Sequence, residues 1–405
     1  MPVAAAAVSP GVRTPTRQAV RALQAGEVRW RQRASAVMYR LGDAVGLPRI
    51  AAGSRWRQAR LLILCYHGVS IDDEHLWSPL YISPSLLDRR LRDLRRGGYA
   101  IIPLADAVRA LYAGELPPRA VALTFDDGLH DFAVQAAPLL AAYDAPATVY
   151  VSTYHVRRQL PVFDIAVSYV LWKGAGRTVT LPDIGERLQI PSWSEHAARE
   201  RLGVRLNDHA RARGWSVQDK HEYLRQLAAV LHVDFDRLVA MRLLHVMSDA
   251  QLLALDHDRI DLQLHTHRHV TPVSADQLRR ELDDNRDVLR AVRPLASLQH
   301  FCYPSGLHVG IDPAWLTACG ILTATTGHPA IASRADGPLL LPRFVDTESN
   351  SDAKFAAWIS GWGAWLSART RPLPTVPRAT LSVAATPHAM GEEARLAEDR
   401  PPLPR

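Results

Sequence analysis

Three short runs, LLILCYH (61–67), AVALTF (120–125) and ATVYVS (147–152), are apolar and rich in β-branched residues, and each is separated from the next by chain long enough for a helix. That alternation predicts a parallel α/β sheet or barrel. Between the first two runs, PSLLDRRLRDLRRGG (84–98) is helical in period and stops at a Gly-Gly pair. After the second, HDFAVQAAPLLAAYD (130–144) is helical with a proline expected to kink it. Strand rhythm returns in RIDLQLH (259–265), then a capping box expected at Ser274 and Gln277 opens a helix to about Val292. HFCYPSG (300–306) and ILTATTG (321–327) read as further strand ends.

From about residue 157 to 258 the pattern is helical and charged, as in EYLRQLAAVL and FDRLVAMRLL, which predicts a helical insertion, with a lid as one reading of its role. Near the N-terminus, Val20, Leu23, Trp30, Ala34, Val37, Leu41 and Val45 recur every three or four residues or multiples of that, among Arg21, Arg29, Arg31, Arg33 and Arg40. This predicts a basic amphipathic helix, or two, packing on its own domain, with peripheral contact to an anionic membrane as the sharper alternative. The expected organisation is a basic helical extension (1–58), a principal domain (59–368) and a disordered Pro/Ala-rich tail (369–405). Phe355, Trp358, Trp362 and Trp365 form an aromatic stripe expected to be core.

The net charge of +7 is mostly arginine placed before residue 60, so nucleic acid, anionic lipid and acidic glycans all suit it as partners. Arginine without interleaved aromatic stacking or a recognisable binding motif argues against nucleic acid. Three cysteines with no C-x-x-C pair argue against a disulfide framework or a cysteine-rich metal knuckle. The opening residues lack a basic n-region and a long apolar h-region, and no later stretch is long and uncharged enough to span a membrane. A cytoplasmic location is expected, peripheral to the inner membrane face if the helix meets lipid.

Parallel α/β folds carry their working residues at the carboxyl ends of strands. Three polar groups stand at such ends: His67, the pair Asp126-Asp127, and His265-Thr-His-Arg-His269. If the last strand passes into a turn of helix, His265 and His269 share a face about 5–6 Å apart, within reach of one metal ion. A carboxylate from a neighbouring strand end would complete the set. Adjacent side chains diverge, so one aspartate can face the metal while the other faces the water it activates, and the cation offsets their repulsion. Asp-Asp-Gly is also a common turn or cap, and the HTHRH run alone could be a solvated loop.

TFDDG (124–128) followed by HTHRH and by an aromatic-Pro turn resembles the polysaccharide deacetylase (NodB-homology) family of carbohydrate esterases. LCYHGV, LPPRAVALTFDDG, APATVYV and FCYPSG add to the resemblance, which covers roughly 61 to 343. It implies a distorted (β/α) barrel of about seven strands, here carrying the helical insertion and the N-terminal helical extension. It further implies that Asp127, His265 and His269 hold a divalent metal, zinc as a rule with cobalt or nickel as alternatives, and that Asp126 is the general base. The implied reaction removes acetyl from an N-acetylated amino sugar in a glycan or oligosaccharide. The turn at Tyr303 and Pro304 would border the substrate and aim the Ser305 N–H at the oxyanion. His67, ending the strand before TFDD in chain order, is the expected acid for the departing amine, with His328 in TTGHPA as runner-up. Many members have an arginine where Cys302 stands, no convincing D-x-x-x-W element is found, and no leucine-x-histidine motif follows FCYPSG. A glycan-binding protein that has lost turnover is the competing reading.

Overall fold

Every residue of the apolar runs at β1 (Leu62–Tyr66), β2 (Val121–Phe125) and β3 (Ala147–Val151) is buried. Strands with no polar face need cover on both sides, and a parallel sheet ringed by helices supplies it. The computed structural model describes residues 35–370, with side chains described through Leu366. Four further strands follow: β4 (Ile260–Leu264), β5 (His300–Cys302), β6 (Thr323–Thr325) and β7 (Phe344–Val345). The sheet runs β6-β5-β4-β3-β2-β1-β7 with every pairing parallel.

The two edges meet through one segment. β7 pairs with β1, while Leu341, just ahead of β7, donates its N–H to Ala324 and accepts from Thr326, each at 2.9 Å, beside β6. The sheet therefore curls into the distorted (β/α) barrel implied by the strand rhythm. β7 is the strand that sequence rhythm overlooked.

The inserted helices, Phe163–Lys173, His196–Ala212, Val217–Val230 and Phe235–Ala240, build a core of their own from residues such as Val167, Val170, Leu206, Leu224 and Leu227. A small antiparallel hairpin, Thr178–Thr180 with Arg187–Gln189, interrupts the mostly helical pattern. The insertion returns to the barrel by lying antiparallel against the segment after TFDD. Leu129 bridges Val246, the Met247 N–H donates to the Gly128 carbonyl at 2.9 Å, and the His130 N–H donates to the His245 carbonyl at 2.8 Å.

Several local expectations need correction. The proline in HDFAVQAAPLLAAYD does not kink one helix: a π turn at Phe132–Ala136 ends as a new α-helix, Ala137–Ala142, starts with Pro138 in its first turn, where no N–H is needed. Ser274 caps its helix through the Gln277 N–H, but the Gln277 side chain accepts from Val273 instead, so only half a capping box forms. The aromatic stripe is split by Gly361, at φ 89°, leaving Phe355 and Trp358 buried on one helix (Asp352–Ser360) and Trp362 and Trp365 on the next (Trp362–Thr370). Phe344 of β7 stacks on Trp358 at 4.3 Å, so that part of the stripe is core.

Val20, Leu23, Trp30 and Ala34 lie outside the described residues, as does nearly all of the predicted tail. In the described part of the N-terminal segment, a helix over 35–44, the apolar face is not the expected one. Tyr39 is buried against Trp362, Ala357 and Leu366, whereas Val37, Leu41 and Val45 are 55%, 62% and 70% exposed. Gly42 lets the helix approach, since a Cβ there would sit 2.6 Å from the Trp362 ring. No described helix is long and apolar enough to cross a membrane.

Candidate active site

β2 delivers two aspartates into a turn that separates them. Asp127 (φ 71°) and Gly128 (φ 71°) are both left-handed. Asp is among the few side chains that tolerate this conformation, and at Gly128 any Cβ would meet the Val151 Cγ1 at 2.7 Å. The two carboxylates consequently face different partners.

Asp127 Oδ1 lies 3.2 Å from His265 Nε2 and 3.3 Å from His269 Nε2. The histidines do not share a helical face as the spacing predicted. Residues 265–269 form an irregular loop in which Thr266 (φ 60°) and His269 (φ 55°) are left-handed, and this brings the two rings to 4.9 Å. His265 Nδ1 is 2.8 Å from the Cys302 carbonyl, which can only accept, so Nδ1 carries a proton and Nε2 is the nitrogen that faces Asp127. Asn285 fixes the loop by accepting the His265 N–H at 3.0 Å and donating to the Val151 carbonyl at 2.9 Å.

These three side chains suit a divalent cation. Their ligand atoms all lie within 4.8 Å of one another. Atoms about 2.0–2.1 Å from a tetrahedral ion sit roughly 3.3 Å apart, close to the separations from Asp127 to the two imidazoles. Burial would raise the Asp127 pKa, but hydrogen bonding to His265 and His269 outweighs it and holds the carboxyl well below its usual range.

Asp126 is only 4% exposed and has a different neighbour, Arg343, which sequence reasoning missed. The guanidinium meets the carboxylate through two bonds, Nη1 to Oδ1 and Nη2 to Oδ2, each 2.7 Å. Arg343 is itself held by the Thr326 carbonyl at 3.1 Å, Thr124 Oγ1 at 3.2 Å and Cys302 Sγ at 3.1 Å. Burial pushes the Asp126 carboxyl up, and the Arg343 charge and hydrogen bonds overcome it, keeping Asp126 ionised. Cys65 and Cys302 complete its surroundings, with sulfurs 3.6 and 3.4 Å from Oδ2. Cys302 thus occupies the place of the expected arginine, while Arg343 reaches the same carboxylate from the position just ahead of β7. The signal available in the chain was LLLPRFV (339–345), a single arginine inside an apolar run.

His67, at the end of β1, places Nε2 3.7 Å from Asp126 Oδ2, and its Nδ1 is buried without a hydrogen bond. His328 is exposed in the loop after β6, where its carbonyl accepts from the Arg343 N–H at 3.0 Å. Of the two, His67 is the histidine beside the aspartate. Tyr303 and Pro304 are buried, the Tyr303 hydroxyl donating to the Leu339 carbonyl at 3.0 Å. Ser305 follows, exposed and left-handed (φ 56°), and Gly306 packs where a Cβ would be 2.7 Å from the Gly327 nitrogen. Asp131 is buried and accepts the Val69 N–H at 3.0 Å, linking the first turn after TFDDG to the loop that carries His67. Burial holds its pKa well above the usual range.

Residues 113–311 match the family model for polysaccharide deacetylase. No curated protein matches the chain. Similar solved structures include the Streptococcus pyogenes deacetylase PplD in complex with acetate, 22% identical, covering 72% of this chain and 94% of that one, with a TM-score of 0.44. A de-N-acetylase from Aggregatibacter actinomycetemcomitans is 16% identical, covering 74% of this chain and 99% of its own, with a TM-score of 0.46. IcaB from Ammonifex degensii is 18% identical, with 74% and 97% covered and a TM-score of 0.42.

Proposed function

We propose that this chain, which belongs through residues 113–311 to the polysaccharide deacetylase family, is a metal-dependent hydrolase that removes N-acetyl groups from N-acetylhexosamine residues of a glycan, oligosaccharide or lipid-linked precursor. The observation that carries this reading is the division of labour between adjacent carboxylates: Asp127 beside two imidazoles, Asp126 locked in a separate ion pair. A pure glycan binder has no use for both. The arginine missing at Cys302 favoured a protein without turnover, and Arg343 removes that objection.

Amide hydrolysis needs an activated nucleophile, a stabilised oxyanion and a proton for the amine. Asp127, His265 and His269 would hold the ion, zinc in this reading, which supplies Lewis acidity for activating water and polarising the acyl oxygen. Asp126 takes the proton of the attacking water, and its two bonds to Arg343 keep it ionised and aimed. His67, on the neighbouring strand end, delivers a proton to the departing nitrogen. Tyr303 and Pro304 shape the acyl pocket, and the Ser305 N–H faces the oxyanion, a contact of a kind commonly worth about 2.7–4 kcal/mol. The catalytic unit in this reading is 59–368, with the inserted helices as an elaboration of it.

Metal analysis of the purified protein together with acetate release from N-acetylated oligosaccharides tests the reading. Chelation should abolish release, and zinc, cobalt or nickel should restore it. Release that persists in protein stripped of metal would refute it. His67→Ala should lower turnover about 10²–10⁴-fold. The loss should shrink on substrates whose leaving amine is less basic, because those need less help from an acid; an equal loss on both would remove His67 from the acid role.

A further inference from the structure

The barrel rim beside Asp127 carries cations that hydrolysis does not use. The loop after β3 is tied to the metal set. The Ser152 N–H donates to the Asp127 carbonyl at 3.2 Å, the Ser152 hydroxyl to the His265 carbonyl at 3.0 Å, and the Tyr154 N–H to the His267 carbonyl at 2.8 Å. On this loop Arg158 lies over the Tyr154 ring at 3.8 Å, and that ring packs edge-on against His155 and His267 at 5.0 and 5.6 Å. The insertion adds Lys220 from the helix Val217–Val230. It also adds Arg242, which donates to the Val246 carbonyl at 3.2 Å and to Gln159.

Among the described residues, Arg158, Lys220 and Arg242 have no carboxylate partner. Arginines around them do: Arg157 pairs with Asp249, Arg237 with Asp72, and Arg268 with Glu281 and Asp284. His155 registers the uncompensated charge. Burial first, then Arg158 and Lys220, with His245 and His267 behind them, hold its pKa down to about 4. Its Nδ1 is buried and makes no hydrogen bond. Cations without carboxylate partners and an unsatisfied ring nitrogen, on the loop tied to Asp127 and His265 and on the inserted helix whose lysine acts on His155, are what a bound oxyanion would satisfy.

We propose that Arg158, Lys220 and His155 form a subsite for an oxyanion, a carboxylate or a phosphate, carried by the N-acetylated substrate itself, so that the enzyme selects negatively charged glycans. The proposal rests on the deacetylase reading above and adds the class of substrate to it.

The test compares acetate release by metal-replete wild type, Arg158→Gln and Lys220→Gln on three matched N-acetylhexosamine oligosaccharides: neutral, uronate-bearing and phosphate-bearing. The wild type should favour at least one anionic substrate by about tenfold or more in kcat/KM, the value of one charge-assisted contact. The preference should fade as ionic strength rises. Each substitution should lower the anionic-to-neutral ratio by about tenfold. Which anionic arm responds identifies carboxylate or phosphate. Equal rates on all three substrates, or a ratio unmoved by both substitutions, would overturn the subsite and leave the hydrolase reading standing. No acetate from any substrate would bring down the hydrolase reading and the subsite with it.

Discussion

An Asp126→Asn enzyme is expected to bind its metal ion normally and to release acetate about 10²–10⁴-fold more slowly than the wild type. Asparagine keeps the shape of the side chain but cannot take a proton from water. The proposed metal set is untouched, because it uses the neighbouring carboxylate, Asp127, with His265 and His269. A second effect comes with the first. The buried guanidinium of Arg343 would face a neutral amide, and breaking one partner of a buried pair costs about 3–5 kcal/mol. Metal stoichiometry, thermal unfolding and acetate progress curves on the same preparation separate the two effects. Full turnover in the folded, metal-loaded variant would remove Asp126 from the role of base.

Arg343→Met is expected to be nearly as damaging, and its effect should depend on pH in a definite direction. In the wild type Arg343 keeps the Asp126 carboxyl below its unfolded value. That contribution to stability is present above the ordinary carboxylate pKa and is lost as pH falls through the depressed folded one. Without the arginine, burial dominates and the folded pKa rises above the unfolded value. The variant should be about 3–5 kcal/mol less stable at neutral pH. The gap to wild type should narrow on acidification, once Asp126 is protonated. The acid limb of kcat/KM should move to higher pH for the same reason. Denaturant titrations at neutral and acidic pH check the first point, and a pH–rate profile the second. A stability gap that is constant across pH would mean that Arg343 contributes packing alone. Combining both substitutions should cost less than the sum of the two, since neither then leaves a lone charge.

The parts of the fold that were legible are those whose pattern exceeds a few residues. β1, β2 and β3 show as unbroken apolar runs, and β4 as alternation, because burial on one or both faces imposes those patterns over a whole strand. β7 has two residues and no period to detect. Arg343 was lost with it, since the expected arginine belonged at Cys302 and nothing local marks a position 217 residues from its partner. That Asp127, His265 and His269 belong together was legible from residue types and order, but the geometry that gathers them was not. A four-residue spacing suggests a helical face, whereas here two left-handed residues fold the loop. Such conformations are chosen by the surrounding structure at sites of function, and propensity does not report them. The N-terminal helix misled for another reason. Its apolar residues have a helical period, yet which side is covered depends on Trp362, more than 300 residues away, which meets Tyr39.

Because β7 is the last strand of the described sheet yet lies beside the first, a ribosome making this chain finishes the proposed metal ligands and base long before the arginine that restrains that base appears. At roughly 5–20 residues per second, the 217 residues from Asp126 to Arg343 take about 10–40 s to make. During that interval the nascent chain carries a half-dressed buried carboxylate and an open seam between its first and sixth strands. On the proposed mechanism catalytic competence is a late event of biosynthesis, and a ribosome-stalled chain ending before Pro342 is expected to be inert however much of the barrel it has already folded.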